Sequence, residues 1–314
     1  PTRRSSDLRK FAAGFNLRDL WIGSEGALGI ITGAVLRLVP RPQARKTCLA
    51  VFPGHREALD SVQRILGSGL EPAAVEFLDA QTIRCTFAFW REKDPALLQS
   101  LPECLRSAPA GAALLLVEFD GTDGRTGNDL GRLTGLLEGA VTGLATADTE
   151  SERDNLWKIR RSCSQAMFTL APRKLNEDVV VPFHKETALL DFLEELRKAT
   201  GLPTPTFGHA ADGNFHAHLM FDDADEEESR RAAEGVDALM RRVIDLGGAI
   251  SGEHGIGLAK TPYLRLQHGE AEIKAMQAVK SALDPANILN PGKMWTPCEV
   301  HRLPRETVRL PWDH

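Results

Sequence analysis

The sequence predicts an α+β fold in which an antiparallel-rich sheet is flanked by helices. Three observations lead there. Short runs rich in apolar and β-branched residues recur at 47–52, 73–78 and 114–119, with helical patterning between them. Val236, Leu239, Met240 and Val243 keep an i, i+3, i+4, i+7 stripe, the mark of an amphipathic helix packed on something flat. Asp212-Gly213-Asn214 is turn chemistry between two apolar runs, and it folds one strand back on the next. Strands and helices mixed this way place helices against an antiparallel sheet.

The elements follow in order. Residues 11–40 are glycine-rich and end in a β-branched run. Alternation over 35–39 predicts a strand, stopped by Pro40-Arg41-Pro42. Strands are expected at 47–52 and 73–78. Helices are expected at 56–66, closed by Gly67 and Gly69, and at 79–90. A strand at 114–119 runs into a Gly/Asp turn at 120–124, and a helix covers 130–137. The clearest central helix spans 152–170 and ends before Pro172. A short strand at 178–181 precedes a helix at 184–200 with a Gly201 stop. Paired strands around a turn occupy 204–219, and the amphipathic helix spans 226–246. Residues 249–251 read as a strand after Gly247-Gly248. Ile273, Met276, Val279 and Leu283 mark a last helix closed at Asp284-Pro285. Beyond Trp295 periodicity is lost.

A chain of 314 residues, 42% hydrophobic and 26% charged, buries a sizeable core and reads as soluble and globular. A net charge of −5 gives no electrostatic case for nucleic acid. The longest apolar stretch, 27–39, is interrupted by Thr32 and Arg37 and is too short to span a bilayer, so no transmembrane segment is expected. Cys48, Cys85, Cys104, Cys163 and Cys298 form no C-x-x-C pair, an odd and sparse set that suits a reducing compartment. The expected location is the cytoplasm, or the inner face of its membrane. Residues 1–10 start without Met and are polar, basic and unpatterned; they read as a foreign or disordered head.

Histidines concentrate in two windows, Gly208 to His218 and Gly252 to Gly255. His209 and His216 are seven positions apart, so one continuous strand would set them on opposite faces. The turn at Asp212 to Asn214 can instead bring both to one side, with His218 beside His216. The plain alternative is a hairpin with surface histidines. In the second window Glu253 can supply an oxygen ligand, and His254 can serve as a base, the usual work of an imidazole. Together the windows offer a divalent metal site with a base beside it. The glycine loop Gly23-Ser24-Glu25-Gly26-Ala27-Leu28-Gly29 precedes a strand and is not a Rossmann fingerprint, though its bare backbone can meet a flat cofactor or a phosphate. Arg160, on the central helix, can grip a carboxylate bidentately or be simply solvated. Lys174 and Asn176 can make polar substrate contacts or sit in a solvated turn.

Read together, the segments 19–32, 209–216, 251–257 and 287–293 resemble the C-terminal part of FAD-linked oxidases of the vanillyl-alcohol oxidase type, a group that includes D-lactate dehydrogenase, the FAD-binding subunit of glycolate oxidase and D-2-hydroxyglutarate dehydrogenase. The resemblance spans roughly 11–294. It implies residues 11–42 as the end of an FAD-binding domain, 43–265 as a substrate-side cap, 266–295 as a helical return to the flavin and 296–314 as a tail. It implies FAD as cofactor and His209, His216 and Glu253 as ligands of a divalent metal, zinc in several relatives. It implies His254 as general base and Arg160 as the grip on the substrate carboxylate. Ser24, Glu25, Gly26, Gly29 and Ile30 would line the flavin, Asn290 would lie near it, and Lys174, Asn176 and His218 would touch the substrate. Ala211, Ala27 and His218 depart from the family pattern, and the last puts the substrate in question.

The implied reaction is oxidation of a small D-2-hydroxy acid (D-lactate, glycolate or D-2-hydroxyglutarate class) to the 2-oxo acid, with hydride passing to FAD. A quinone, cytochrome or electron-transfer protein would take the electrons onward, and a homodimer is compatible with it. Relatives carry a further FAD-binding region upstream, so the chain is expected to be a fragment that is inactive alone. Two other readings compete: a metal-dependent hydrolase or lyase using the same His/Glu site, and a non-catalytic cap.

Overall fold

The computed structural model describes residues 14–296. The head expected over 1–10 lies outside them, as does the expected tail beyond Thr296. The chain divides into two compact units, Arg41–Gly252 and the remainder, described over 14–40 and 253–296.

The first segment of the smaller unit holds one helical turn, α1 (Arg18–Trp21). The strand expected at 35–39 does not form, and residues 22–42 contain neither helix nor strand. Alternation creates an apolar face, but a strand also needs a neighbour's N–H and C=O groups. Among the described residues no strand pairs with this segment, and Val35, Leu36, Leu38 and Val39 stand exposed.

The larger unit is built on a seven-stranded sheet: β1 (Ala44–Phe52), β2 (Ala74–Leu78), β3 (Ala113–Gly121), β4 (Gly143–Ala147), β5 (Arg173–Val180), β6 (Thr206–His209) and β7 (Asn214–Phe221), in the order β4-β1-β3-β2-β6-β7-β5. Every neighbouring pair is antiparallel. Its helices are α2 (His55–Gly67), α3 (Ala80–Lys93), the short α4 (Pro95–Ser100) and α5 (Glu103–Arg106), α6 (Asp123–Leu137), α7 (Glu150–Ala166), α8 (Glu186–Thr200) and α9 (Glu226–Asp245). Their starts are chemically specified. Asp79 accepts from the Thr82 amide at 2.7 Å, Thr149 and Glu152 close a capping box, and Asp225 accepts from the Glu227 and Glu228 amides.

Differences from the sequence expectation have local causes. The helix expected from 130 begins at Asp123, through glycines that read as a turn; Thr126, Asp129, Leu133 and Leu137 form its buried face. The strand expected from 178 begins at Arg173, because β7 offers a full ladder to pair with. The strand expected at 249–251 shrinks to one bridge, Val180 with Ala249. There the chain turns toward a side chain, the Gly252 amide donating to Asp178 Oδ2 at 2.8 Å.

Register carries one face across the sheet. Thr47 opposes Glu118, Glu76 opposes His209, Phe207 opposes His216, and Asn176 opposes His218. Directly opposed residues share a face. On that face Leu49, Val51, Leu78, Leu114, Leu116, Phe207 and Met220 form one buried cluster with Ile83 and Cys85 of α3 and Leu156, Ile159 and Cys163 of α7. The other face buries Phe52, Phe77, Leu115, Phe119 and Phe215 toward α2, α6, α8 and α9. Helices thus pack on both faces, and on the α3/α7 side the polar residues range from buried Glu76 and His218 to partly exposed His209 and exposed Asn176.

The second segment of the smaller unit contains α10 (Leu264–Gln267) and α11 (Glu270–Leu283). Among the described residues no helix is long and apolar enough to cross a membrane.

Candidate functional site

The turn between β6 and β7 sets the two histidines of the first window side by side. Gly213 there has φ +69°, and a Cβ on it would fall 2.2 Å from the Val181 carbonyl oxygen, so the turn requires glycine. The His209 and His216 rings lie 5.6 Å apart between centroids, nearly perpendicular. His209 remains partly exposed while His216 is buried.

Glu76, on β2, meets this pair from the next strand. Its Oε1 lies 2.7 Å from His209 Nδ1, and its Oε2 accepts from Arg160 Nε at 2.6 Å. Burial works to raise the Glu76 carboxyl, but the His209 hydrogen bond and the Arg160 charge outweigh it and hold the group below the usual carboxylate range. The Arg160 guanidinium lies 4.4 Å from the Phe207 ring centroid, and Phe207 stacks on His218 at 5.3 Å.

His218 is almost fully buried. Its Nδ1 lies 3.1 Å from the Pro205 carbonyl oxygen, which fixes the hydrogen on Nδ1 and leaves Nε2 an acceptor. Burial, then the charge of Lys174, pushes its pKa down to about 3, so the ring is neutral. Lys174 donates to Ser164 Oγ at 2.6 Å and to the Ser164 carbonyl at 3.0 Å, and burial lowers its pKa. Asn176 is exposed on the edge strand β5, opposite His218. Arg160, Lys174, Asn176, His209, His216 and His218 thus belong to one side of one sheet.

Asp178 and Asn214 belong to the same side. Asn214 Nδ2 donates to Asp178 Oδ1 at 2.6 Å, and Asp178 Oδ2 receives Ser251 Oγ at 3.1 Å as well as the Gly252 amide. The chain is anchored here one residue before Glu253-His254.

In the smaller unit, three glycine-bearing segments meet at Glu25. Its carboxylate accepts from the Ile256 amide at 2.6 Å and the Gly257 amide at 2.7 Å, and Asn290 Nδ2 donates to its carbonyl at 2.6 Å. The Glu25 side chain is therefore taken up in holding backbone. Gly26 has φ +73°, a left-handed conformation that favours glycine, and a Cβ on it would lie 2.9 Å from Asn290 Nδ2. Ser24 is buried and donates to the Trp21 carbonyl at 3.0 Å. The Trp21 indole lies over Gly29, where a Cβ would be 3.0 Å from its Nε1, while Ile30 is exposed. Glu253 and His254 are about half exposed, with His254 Nε2 3.8 Å from Glu253 Oε1.

Sequence reasoning does not find Glu76, Ser164 or Phe207; it reads Asn214 only as a turn residue and Asp178 only as the start of a strand beside a polar segment. The available signal for Glu76 was a lone carboxylate in the apolar run Ala74-Val75-Glu76-Phe77-Leu78, a residue that must find partners when buried.

Comparison with known proteins agrees with this architecture. Residues 41–294 match the family described as FAD linked oxidases, C-terminal domain. The chain is 35% identical over 294 residues to glycolate oxidase subunit GlcD of Bacillus subtilis, covering 93% of this chain and 60% of that protein. It is 33% identical over 289 residues to a probable mitochondrial D-lactate dehydrogenase of Danio rerio, covering 91% and 55%. It is 31% identical over 288 residues to a D-lactate dehydrogenase of Anaerostipes hadrus, covering 91% and 59%. Among solved structures, alkyldihydroxyacetonephosphate synthase superposes with TM-score 0.64 at 21% identity, over 90% of this chain and 51% of that one. p-Cresol methylhydroxylase superposes with TM-score 0.61 at 14% identity, over 83% and 54%. At such identities the likeness is one of fold. The chain spans little more than half the length of the relatives it matches. On the family match and these identities, the chain belongs to the FAD-linked oxidases, as the C-terminal domain of that family.

Proposed function

We propose that the protein carrying this chain oxidises a small D-2-hydroxy acid to its 2-oxo acid with FAD, and that the face bearing His209, His216, His218, Arg160 and Lys174 is the substrate side. The observation that carries this is the gathering of those five residues on one side of the sheet in a chain of this family.

Two neighbouring imidazoles, one oriented by a carboxylate, are a donor set that suits zinc. His209, His216 and Glu253 would hold the ion. A bound divalent ion supplies Lewis acidity that lowers the pKa of a substrate hydroxyl. The bare backbone at Gly26, against Asn290, suits a flat ring, and Ser24, Gly26, Gly29, Ile30 and Asn290 would line it, with Glu25 holding the loop. Bound FAD supplies the acceptor for the substrate's α-hydride.

The chain's own residues do the rest. Arg160 has its Nε on Glu76, so its two terminal nitrogens are the donors for the substrate carboxylate. Lys174, held on Ser164, places a second cation for a more distant polar or anionic group. His218 offers a neutral acceptor, and Asn176 a further amide at the edge. His254 takes the hydroxyl proton as the carbonyl forms.

The test uses the full-length gene product, a panel of D-2-hydroxy acids and an artificial electron acceptor. Flavin absorbance should bleach with one or more of the acids. His254→Ala should cut turnover by about 10²–10⁴-fold while FAD stays bound. Unchanged turnover removes His254 from the reaction; a hydrolytic or lyase activity without flavin bleaching overturns the oxidation itself.

A further inference from the structure

Two buried carboxylates meet helix α7 from the sheet, and they differ in one respect. Glu118, on β3, accepts from Arg153 Nε at 2.8 Å and Nη2 at 3.0 Å, from Trp157 Nε1 at 2.7 Å and from Thr47 Oγ1 at 2.8 Å. Arg153 and Trp157 anchor the helix, and Thr47 ties the same carboxylate to β1. Glu76 accepts from Arg160, two helical turns further along, with one oxygen only. Its other oxygen is on His209. A single side chain, 5% exposed, thus joins β2, α7 and β6.

We propose that Glu76 is a positioning residue that orients the carboxylate-gripping Arg160 and the metal-ligating His209 through the two oxygens of one carboxylate. The inference rests on the substrate side proposed above. A carboxylate accepts hydrogen bonds and donates none, so the hydrogen at the contact belongs to His209 Nδ1. In the neutral ring the lone pair is then on Nε2, the nitrogen a metal would take, and the carboxylate partner fixes the tautomer and orientation of the ring. At Arg160 the bond to Nε fixes the guanidinium plane, and the end-on edge formed by its two terminal nitrogens is the one a substrate carboxylate would meet. Phe207, under the guanidinium, holds that plane from below. Substrate grip and metal ligand are set by the same anchor, so loss of Glu76 weakens both together.

Glu76→Gln keeps the shape. Its amide has one acceptor and one donor end, so either Arg160 Nε or His209 Nδ1–H would face an N–H. In the full-length protein, Glu76→Gln should raise the zinc dissociation constant about 10- to 100-fold, the range for losing a carboxylate behind a metal-bound histidine. KM for the hydroxy acid should rise as well. Glu118→Gln removes a comparable buried Glu–Arg pair on the same helix and should leave zinc affinity within about twofold. Equal weakening by both variants would reduce Glu76 to a structural anchor and overturn the proposal. Unchanged zinc affinity in Glu76→Gln, where His209→Ala abolishes binding, overturns it while leaving the proposed function standing. Failure of the wild type to bind zinc, or indifference to His209→Ala, strikes the proposed function itself. A second measurement needs no variant: long-range ¹H–¹⁵N NMR of histidine-labelled, metal-free wild type should show His209 protonated at Nδ1. An Nε2–H tautomer overturns the proposal even if Glu76→Gln does not fold.

Discussion

Glu186 shows what burial does to a group without a partner. It is fully buried at the start of α8, and among the described residues neither carboxyl oxygen has a hydrogen-bond partner. Burial pushes its pKa up to about 8. Unfolded, the same group titrates near 4.3. Between those values the folded protein keeps a proton that the unfolded chain releases, so stability is full below about 4.3 and falls as pH rises toward 8. The loss is at most a few kcal/mol. Glu186→Gln is neutral at every pH and escapes it. Melting temperatures of the two proteins at pH 5 and pH 8 should therefore diverge, the variant gaining on the wild type at pH 8. An unchanged difference would show that Glu186 is ionised in the fold. Nothing in Phe183-His184-Lys185-Glu186 announces this environment. A charged residue at a helix start reads as solvated, whereas in the fold the β6–β7 turn lies beside it, a Gly213 Cβ position being 3.9 Å from Glu186 Oε1.

At the scale of elements, the hairpin carrying His209 and His216 was legible because its turn is written in consecutive residues. The Glu76 contacts were not, because they join residues 84 and 133 positions away. Periodicity reports which face a side chain takes and is silent on which strand lies beside it. For the same reason β4, Gly-Leu-Ala-Thr-Ala, passed unnoticed: it owes its existence to the open edge of β1. The segment 35–39 is the converse, a strand pattern with no described partner. The β6–β7 turn can be tested directly. Gly213→Ala adds a left-handed conformational cost of about 1–2 kcal/mol and a clash against the Val181 carbonyl costing about 1–3 kcal/mol more. Gly247 shares the backbone sign, at φ +77°, but has open space around it. Gly247→Ala should therefore cost the conformational part alone, about 1–2 kcal/mol. Denaturant midpoints should rank wild type above Gly247→Ala above Gly213→Ala; equal losses would mean that Val181 yields to the methyl group.

For the molecule as a whole, the sheet unit contains its own strand ladders and both packed helical layers. All seven strands, both covering layers and the Glu76 and Glu118 networks lie within Arg41–Gly252. A unit whose ladders and core close internally should unfold cooperatively when expressed alone. Residues 41–252 are expected to give a single melting transition by circular dichroism, and a broad, non-cooperative melt would show that the sheet depends on the rest of the chain. The same fragment separates the proposed ligands. It keeps His209, His216 and Glu76 and ends one residue before Glu253. If Glu253 is the third ligand, the fragment should bind zinc at least about tenfold more weakly than the 314-residue chain. Extending the fragment to residue 257 should then recover part of the affinity, and extending it with Glu253→Gln should not. Equal zinc affinity across all of these would assign the metal to the two histidines and leave Glu253 to another task.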